Sequence, residues 1–111
     1  MADTVIDAAT FAELQDTAGA EFVGELVGTF LEEAPQMLAE LRAAQAAASA
    51  DGFRRAAHSI KSNANTFGAL RLGEMARELE LRGLVAETAP IDALQAEYER
   101  VASALQERTR G

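Results

Sequence analysis

The sequence predicts an all-α fold, an antiparallel up-and-down four-helix bundle with a short additional N-terminal helix. Apolar residues recur every three or four positions in four long segments, and no segment alternates in the way a strand does. The connections between these segments are short, so consecutive helices should pack antiparallel. At 111 residues the chain is long enough to bury one core, and we expect a single domain over residues 1–111.

The short N-terminal helix is predicted at residues 8–18. Thr10 is followed three residues later by Glu13, the spacing of a capping box, which marks the start of a helix. Gly19 then favours a stop, because glycine adopts the backbone conformations that end helices.

A long helix is predicted at residues 20–49. Its apolar series steps by four and three from Val23 to Ala48 without losing phase. Pro35 lies inside the series and should remove one backbone hydrogen bond. Because the apolar phase continues past the proline, we predict one kinked helix rather than two separate ones.

The remaining three helices are predicted at residues 52–67, 69–83 and 90–108. Asp51 is the expected N-cap of the first of these. Gly68 suits the left-handed position after its end, and Gly83 ends the next helix. Pro90 lies near the first turn of the last helix, where a missing backbone donor costs little.

Composition excludes several classes of function. The net charge of −8 opposes binding to nucleic acid and to anionic membrane surfaces. No apolar run approaches the roughly 20 residues that span a bilayer. The amino terminus lacks the basic and apolar regions of a signal peptide, so we expect a cytoplasmic protein. Without cysteine, neither a disulfide nor a thiolate metal site can form.

The most informative residues are the one histidine and the one lysine of the chain, His58 and Lys61. Residues three apart are neighbours on a helix surface. At about 100° per residue, the apolar stripe of this helix points roughly 140° away from His58. The stripe consists of Phe53, Ala57, Ile60, Ala64 and Phe67. We therefore predict that the imidazole faces solvent with Lys61 beside it.

The predicted neighbours of His58 are small, polar or cationic: Arg54, Arg55, Ser62 and Asn65. Only one acid, Asp51, lies on this segment, and glutamate is absent from Gly52 to Gly73. The face is thus locally cationic in an otherwise acidic protein. By default a lone histidine is an ordinary surface residue or a satisfied core residue. The cationic surroundings and the lack of bulky shielding favour a functional role here.

Other chemistries have less support. One histidine without cysteine offers too few ligands for a metal, so we expect no metal site. Ser59 and Ser62 adjoin His58, but an open helix surface supplies no oxyanion hole for acyl transfer. No glycine-rich phosphate-binding loop is present. An exposed imidazole beside a cation is instead suited to accept a phosphoryl group, because that transfer needs mainly positioning and charge neutralisation.

The motif Ala57-His58-Ser59-Ile60-Lys61-Ser62, followed by Phe67-Gly68-Ala69-Leu70 and by Leu79-Glu80, resembles the histidine-containing phosphotransfer (HPt) domain. The upstream segment Phe30-Leu31-Glu32-Glu33-Ala34-Pro35 is similar to the long helix of that family. The similarity covers nearly the whole chain, which implies a stand-alone domain of this family. The position of Ser62 is often glycine in the family.

This resemblance implies that Nε2 of His58 accepts a phosphoryl group from the aspartyl phosphate of a receiver domain and passes it to another receiver. Lys61 would be the cation beside the phosphoryl group, and Arg54, Arg55, Ser62 and Asn65 would form the receiver-docking surface. The implied partners are response-regulator receiver domains and a hybrid histidine kinase. Magnesium would belong to the receiver, and the domain would have no cofactor, no ATP binding and no catalytic activity of its own.

An alternative interpretation is a helical-bundle adaptor or regulatory protein that binds partners without being phosphorylated. The presence of His58 together with Lys61 favours the phosphorelay, since a non-phosphorylated relative would be expected to lack the histidine. We expect a monomer in either case.

Overall fold

A computed structural model describes residues 5–109, and this part of the chain holds five α-helices and no strand. The helices are α1 (Ala8–Ala18), α2 (Ala20–Ala46), α3 (Ala50–Thr66), α4 (Leu70–Arg82) and α5 (Ala89–Thr109). The ends of the predicted domain 1–111, and residues 1–4 of the segment searched for a signal peptide, lie outside the described residues. In the described range no helix is both long and apolar enough to cross a membrane.

The helices pack so that α3 contacts α2 and α4, while α5 also contacts α2 and α4. Helix α1 lies against α2 and α3. The apolar stripes meet in one core, in which Phe30 of α2 packs against Phe67 and against Tyr98 of α5, with ring centroids 5.5 and 5.9 Å apart. The outer surface of α3 remains open to solvent between α2 and α4.

The structure corrects the predicted N-terminal caps of two helices. Helix α1 is capped by Asp7, whose carboxylate accepts hydrogen bonds from the backbone N–H and the hydroxyl of Thr10, at 3.0 and 2.6 Å. Thr10 therefore lies inside the helix and does not open a capping box. Helix α3 is capped by Ser49, whose hydroxyl oxygen accepts from the N–H of Gly52 at 3.2 Å. Asp51 instead lies in the first turn, because the extended backbone that an N-cap requires occurs two residues earlier.

Helix α2 is continuous from Ala20 to Ala46 with Pro35 inside it, which confirms one helix rather than two. It ends three residues before the predicted limit of 49. The reason is local: Ala48 has a φ of 56°, and the N–H of Ser49 bonds back to the carbonyl of Ala44 at 2.8 Å. An alanine in the left-handed region is uncommon, so nothing in this alanine run predicts the stop.

The turns before and after α4 are each hydrogen-bonded to another part of the chain. Gly68 has the predicted left-handed backbone, with φ of 82°, and its carbonyl accepts a 2.8 Å hydrogen bond from the N–H of Asp7. At the other end, the side-chain amide of Gln45 donates to the carbonyls of Val85 and Glu87, at 3.0 and 2.8 Å. These bonds hold the turns on either side of α4, and so they fix its position beside α3.

Candidate functional site

His58 lies in the middle of α3 on the face that points away from the core. Its side chain is 56% exposed, whereas the apolar stripe of the same helix is buried. The imidazole therefore lies on the outer face of α3, as the angle between His58 and the apolar stripe predicted. Lys61 lies one turn further on, and its side chain is more covered, at 25% exposed.

The residue that joins these two side chains is Glu80, from α4. Its Oε2 atom lies 2.9 Å from Nδ1 of His58, and its Oε1 atom lies 2.9 Å from Nζ of Lys61. The carboxylate is 18% exposed, so one largely covered anion bridges the histidine and the lysine. Sequence reasoning did not assign this role to Glu80, which is 22 positions from His58 and on a different helix.

Electrostatics keep the Glu80 carboxylate ionised. The neighbouring Lys61 ammonium is the largest cause that holds the pKa of Glu80 below its ordinary value of 4.5, and the contact with His58 acts in the same direction. Partial desolvation opposes both. Nζ of Lys61 lies at ion-pair distance, 2.9 Å, from the buried Oε1 atom of this carboxylate.

The contact with Glu80 determines which ring nitrogen of His58 carries the proton in the neutral ring. An ionised carboxylate can only accept hydrogen bonds, so Nδ1 of His58 must carry the proton and donate it to Oε2. In the neutral ring the lone pair then belongs to Nε2, the nitrogen that Glu80 does not engage. The exposed imidazole consequently presents Nε2 to solvent as its nucleophilic atom.

The predicted cationic character of this face is only partly correct. Arg54 donates a 2.8 Å hydrogen bond to Asp51, and both side chains are exposed. Lys61 is paired with Glu80. Because α4 supplies a second acid, Glu80, the surroundings of the imidazole are closer to neutral than the sequence of α3 indicates.

The other predicted docking residues occupy different sides of α3. Ser62 is exposed, and its carbonyl accepts a 2.9 Å hydrogen bond from the hydroxyl of Thr66. Arg55 is exposed on the side of α2, where it lines a shallow hollow with Glu40 and Ser59. Asn65 lies on the side of α4, directly over Gly73. The structure thus brings Arg54, Ser62 and Asn65 onto the open face around His58 and turns Arg55 towards α2.

Residues 5–109 contain no group of three or more histidine, aspartate or glutamate side chains arranged to hold a metal ion. The chemistry that this arrangement supports is that of an oriented imidazole nucleophile with a cation at its side.

Comparisons with known proteins agree with this chemistry. The family model of the Hpt domain matches residues 25–104, more than two thirds of the chain. The crystal structure of histidine-containing phosphotransfer protein B (HptB) from Pseudomonas aeruginosa PAO1 is similar to this chain, with a TM-score of 0.85 and 27% sequence identity. The similarity covers 98% of this chain and 97% of that one. No curated protein matches the sequence. The chain belongs to the Hpt domain family, and its function is histidine phosphotransfer in a two-component phosphorelay.

Proposed function

We propose that His58 is the phosphorylated residue and that Nε2 is the atom that carries the phosphoryl group. The supporting observation is the bond between Nδ1 and Glu80, which leaves Nε2 as the free nucleophile on an exposed ring. His58 is also the only histidine of the chain.

In the proposed reaction the lone pair of Nε2 attacks the phosphorus of a receiver's aspartyl phosphate. A P–N bond forms while the P–O bond to the aspartate breaks, and the aspartate leaves as a carboxylate with the bonding electron pair. Positive charge develops on the imidazole during attack, and the Glu80 carboxylate stabilises it through the proton on Nδ1. Transfer to the next receiver is the same reaction in reverse, with that receiver's aspartate as the nucleophile.

Lys61 is proposed to neutralise the phosphoryl oxygens. Its ammonium is held by Glu80 within one helical turn of His58, and its flexible stem allows Nζ to turn from the carboxylate towards a group on the ring. Glu80 thereby positions both the nucleophile and the cation. Arg54, Ser62 and Asn65 surround this point on the open face and are proposed to contact the receiver.

Members of this family are phosphoryl carriers rather than catalysts, and they interact with receiver domains and kinases. We propose more specifically that this chain binds no ATP and has no catalytic activity of its own, with magnesium held by the receiver. Each of the helices α2, α3, α4 and α5 contacts two of the others, so that the four form a ring. This packing supports an antiparallel four-helix bundle with α1 laid over it. A cytoplasmic location and a monomeric state stay predictions.

The proposed function is tested by incubation with phosphorylated receiver domains. One label per chain is expected, acid-labile and alkali-stable as a phosphoramidate is, and lost in His58→Gln. Ser59→Ala and Ser62→Ala are the matched controls and should still be labelled. Circular dichroism should show unchanged helix content in His58→Gln, because the ring makes no core contact. An acid-stable label that persists in His58→Gln would assign the modification to a hydroxyl group, and no label with any receiver would favour the adaptor.

A further inference from the structure

The outer face of α4, beside His58, carries an exposed apolar side chain that the fold does not explain. Leu81 is 68% exposed, the most exposed large apolar residue of the described chain. It follows directly after Glu80, whose carboxylate holds His58. Leu70, on the same helix, is 50% exposed.

These leucines form a line along α4. Leu70, Arg77 and Leu81 are spaced seven and four residues apart, so they fall on one side of the helix. All three are exposed, and the line runs for about 16 Å at 1.5 Å per residue. We call these three residues the α4 ridge.

The register between α3 and α4 places this ridge beside the reactive histidine. His58 contacts Glu80, and Asn65 lies over Gly73, so seven residues forward in α3 correspond to seven residues backward in α4. Leu81 is therefore at the height of His58 along the helices. Packed helices lie about 8–10 Å apart, so a protein that reaches Nε2 would also reach the ridge.

Charge distinguishes the α4 side of His58 from the α2 side. Helix α4 carries three basic and three acidic residues, whereas α2 carries one basic and five acidic ones. On α2, Glu32, Glu33 and Glu40 are all exposed. Within residues 5–109, the ion pair of Arg77 on the ridge is a long one, 3.8 Å from Glu74. A partner that brings an aspartyl phosphate is anionic at its reacting site, so the acidic α2 side would repel it more strongly than the α4 side.

We infer that the receiver domain docks on His58 from the α4 side, with an apolar patch next to its phosphorylated aspartate resting on Leu81 and an acidic rim facing Arg77. This inference rests on the proposed function, because it assigns the orientation of the same partner. Stable docking buries about 800 Å² on each protein, far more than one imidazole offers. An exposed leucine flanked by an arginine has the composition of an interface centre with a polar rim.

The test compares Leu81→Ser, the conservative Leu81→Met, Arg77→Gln and the control Phe22→Ser. Phe22 is 51% exposed in the first turn of α2. It lies 22 residues before Ala44, which meets the start of α3 at Gly52. Phe22 is thus on the order of 20 Å along the helices from the height of His58. The probe is the receiver domain that labels the wild-type protein fastest, charged with acetyl phosphate in the presence of magnesium.

Leu81→Ser should lower the second-order rate constant of transfer on the order of tenfold, mainly through a raised KM. Leu81→Met should restore most of that loss, and Phe22→Ser should stay within about twofold of wild type. Arg77→Gln should weaken the dependence of the rate on salt. Phosphoramidate provides a second readout without a receiver: its P–N bond breaks, a P–N bond to Nε2 forms and ammonia leaves. That labelling should be equal in all four variants.

Several outcomes would overturn the inference while leaving the proposed function intact. They are receiver transfer at the wild-type rate in Leu81→Ser, an equal loss in Phe22→Ser, and a parallel loss of phosphoramidate labelling in Leu81→Ser. A wild-type dimer that Leu81→Ser converts to a monomer would assign the ridge to a second copy of this chain instead. Failure of every receiver to label wild-type His58 would contradict the proposed function itself.

Discussion

Asn65 of α3 lies directly over Gly73 of α4, where the missing glycine side chain leaves room for the side chain of Asn65. A Cβ atom added to Gly73 would overlap Oδ1 of Asn65 and lie 3.0 Å from its Cγ. Gly73 and Glu80 are seven residues apart and so share one side of α4. The close approach at Gly73 and the contact between Glu80 and His58 therefore belong to one packing arrangement.

Gly73→Ala should displace the Asn65 side chain towards solvent, because the obstructing atom is the end of an exposed side chain. The helix propensity of alanine offsets this cost by up to about 1 kcal/mol, so the free energy of unfolding should change by less than about 1 kcal/mol. The double variant with Asn65→Ala should be more stable than Gly73→Ala alone. Urea titrations of both single variants and the double variant measure the coupling, and strictly additive effects would show that the two residues do not interact.

Glu80→Gln should slow phosphotransfer on the order of tenfold or more, because a neutral amide stabilises positive charge on the ring less than a carboxylate does. Glu80→Ala should be slower still, since it also removes the acceptor that fixes the proton on Nδ1. Single-turnover transfer from a charged receiver measures both rates. The control is Glu78→Gln on the same helix, an exposed acid that should have no effect. Equal rates for wild type and Glu80→Ala would remove Glu80 from the mechanism.

Lys61→Ala should slow transfer by about 10- to 1,000-fold, the effect of losing one electrostatic contact of about 1.4–4 kcal/mol with the transferring phosphoryl group. Lys61→Arg keeps the charge with a different shape and should retain part of the rate. The pair with Glu80 is partly covered, so a small loss of stability should accompany Lys61→Ala. If the transfer rate is unchanged with the matched receiver, Lys61 serves only to hold Glu80.

The ion pair between Lys61 and Glu80 also predicts a dependence of stability on pH. The pKa of Glu80 is lower in the folded protein than its ordinary value of 4.5, so the ionised carboxylate stabilises the fold fully above about pH 4.5. That contribution is lost as the pH falls through the folded-state pKa. Lys61→Ala removes the largest cause of the shift, so its stability deficit should be present at pH 7 and disappear in acid. Carboxyl NMR titration of Glu80 and unfolding at several pH values check this, and a deficit that persists well below the measured titration midpoint of Glu80 would contradict it.

Substitutions of Ser62 test how closely a partner approaches the turn of α3 that follows His58. The residue is exposed, so Ser62→Trp should fold normally while its indole prevents contact over Nε2. In-line transfer needs the reacting atoms within about 3–3.5 Å, and a displacement of one ångström can cost about a hundredfold in rate. Ser62→Gly should keep full transfer and lose up to about 1 kcal/mol of helix stability. Thermal melts and transfer kinetics separate the two effects, and wild-type transfer by Ser62→Trp would place the interface elsewhere.

Much of the site could be predicted because it depends on a single helix. The exposure of His58 and the nearness of Lys61 follow from angles around one axis. Glu80 could not be assigned its role in this way, since its position depends on the register between α3 and α4. That register is set by packing at places such as Gly73, and no periodicity within one helix reports it.

The helix ends also differ in how well the sequence predicts them. Gly19, Gly68 and Gly83 end or follow helices as predicted, because positive φ values favour glycine. The N-caps of α1 and α3 were harder to predict, since several neighbouring residues have side chains able to cap a helix and only the backbone conformation selects one. The end of α2 depends on Ala48, a residue type with no preference for its own conformation.

The engagement of Nδ1 by Glu80 has a kinetic consequence for the relay. Under the proposed function, with Nδ1 occupied by Glu80, the imidazole of His58 would hold a single phosphoryl group on a single side. Donor and acceptor must then use the same surface in turn, so a complex of all three proteins cannot form productively at this histidine. The exchange should follow ping-pong kinetics, with each unphosphorylated receiver acting as a competitive inhibitor of the other. The flux through the pathway would accordingly depend on the ratio of the two receivers' concentrations as well as on their chemistry.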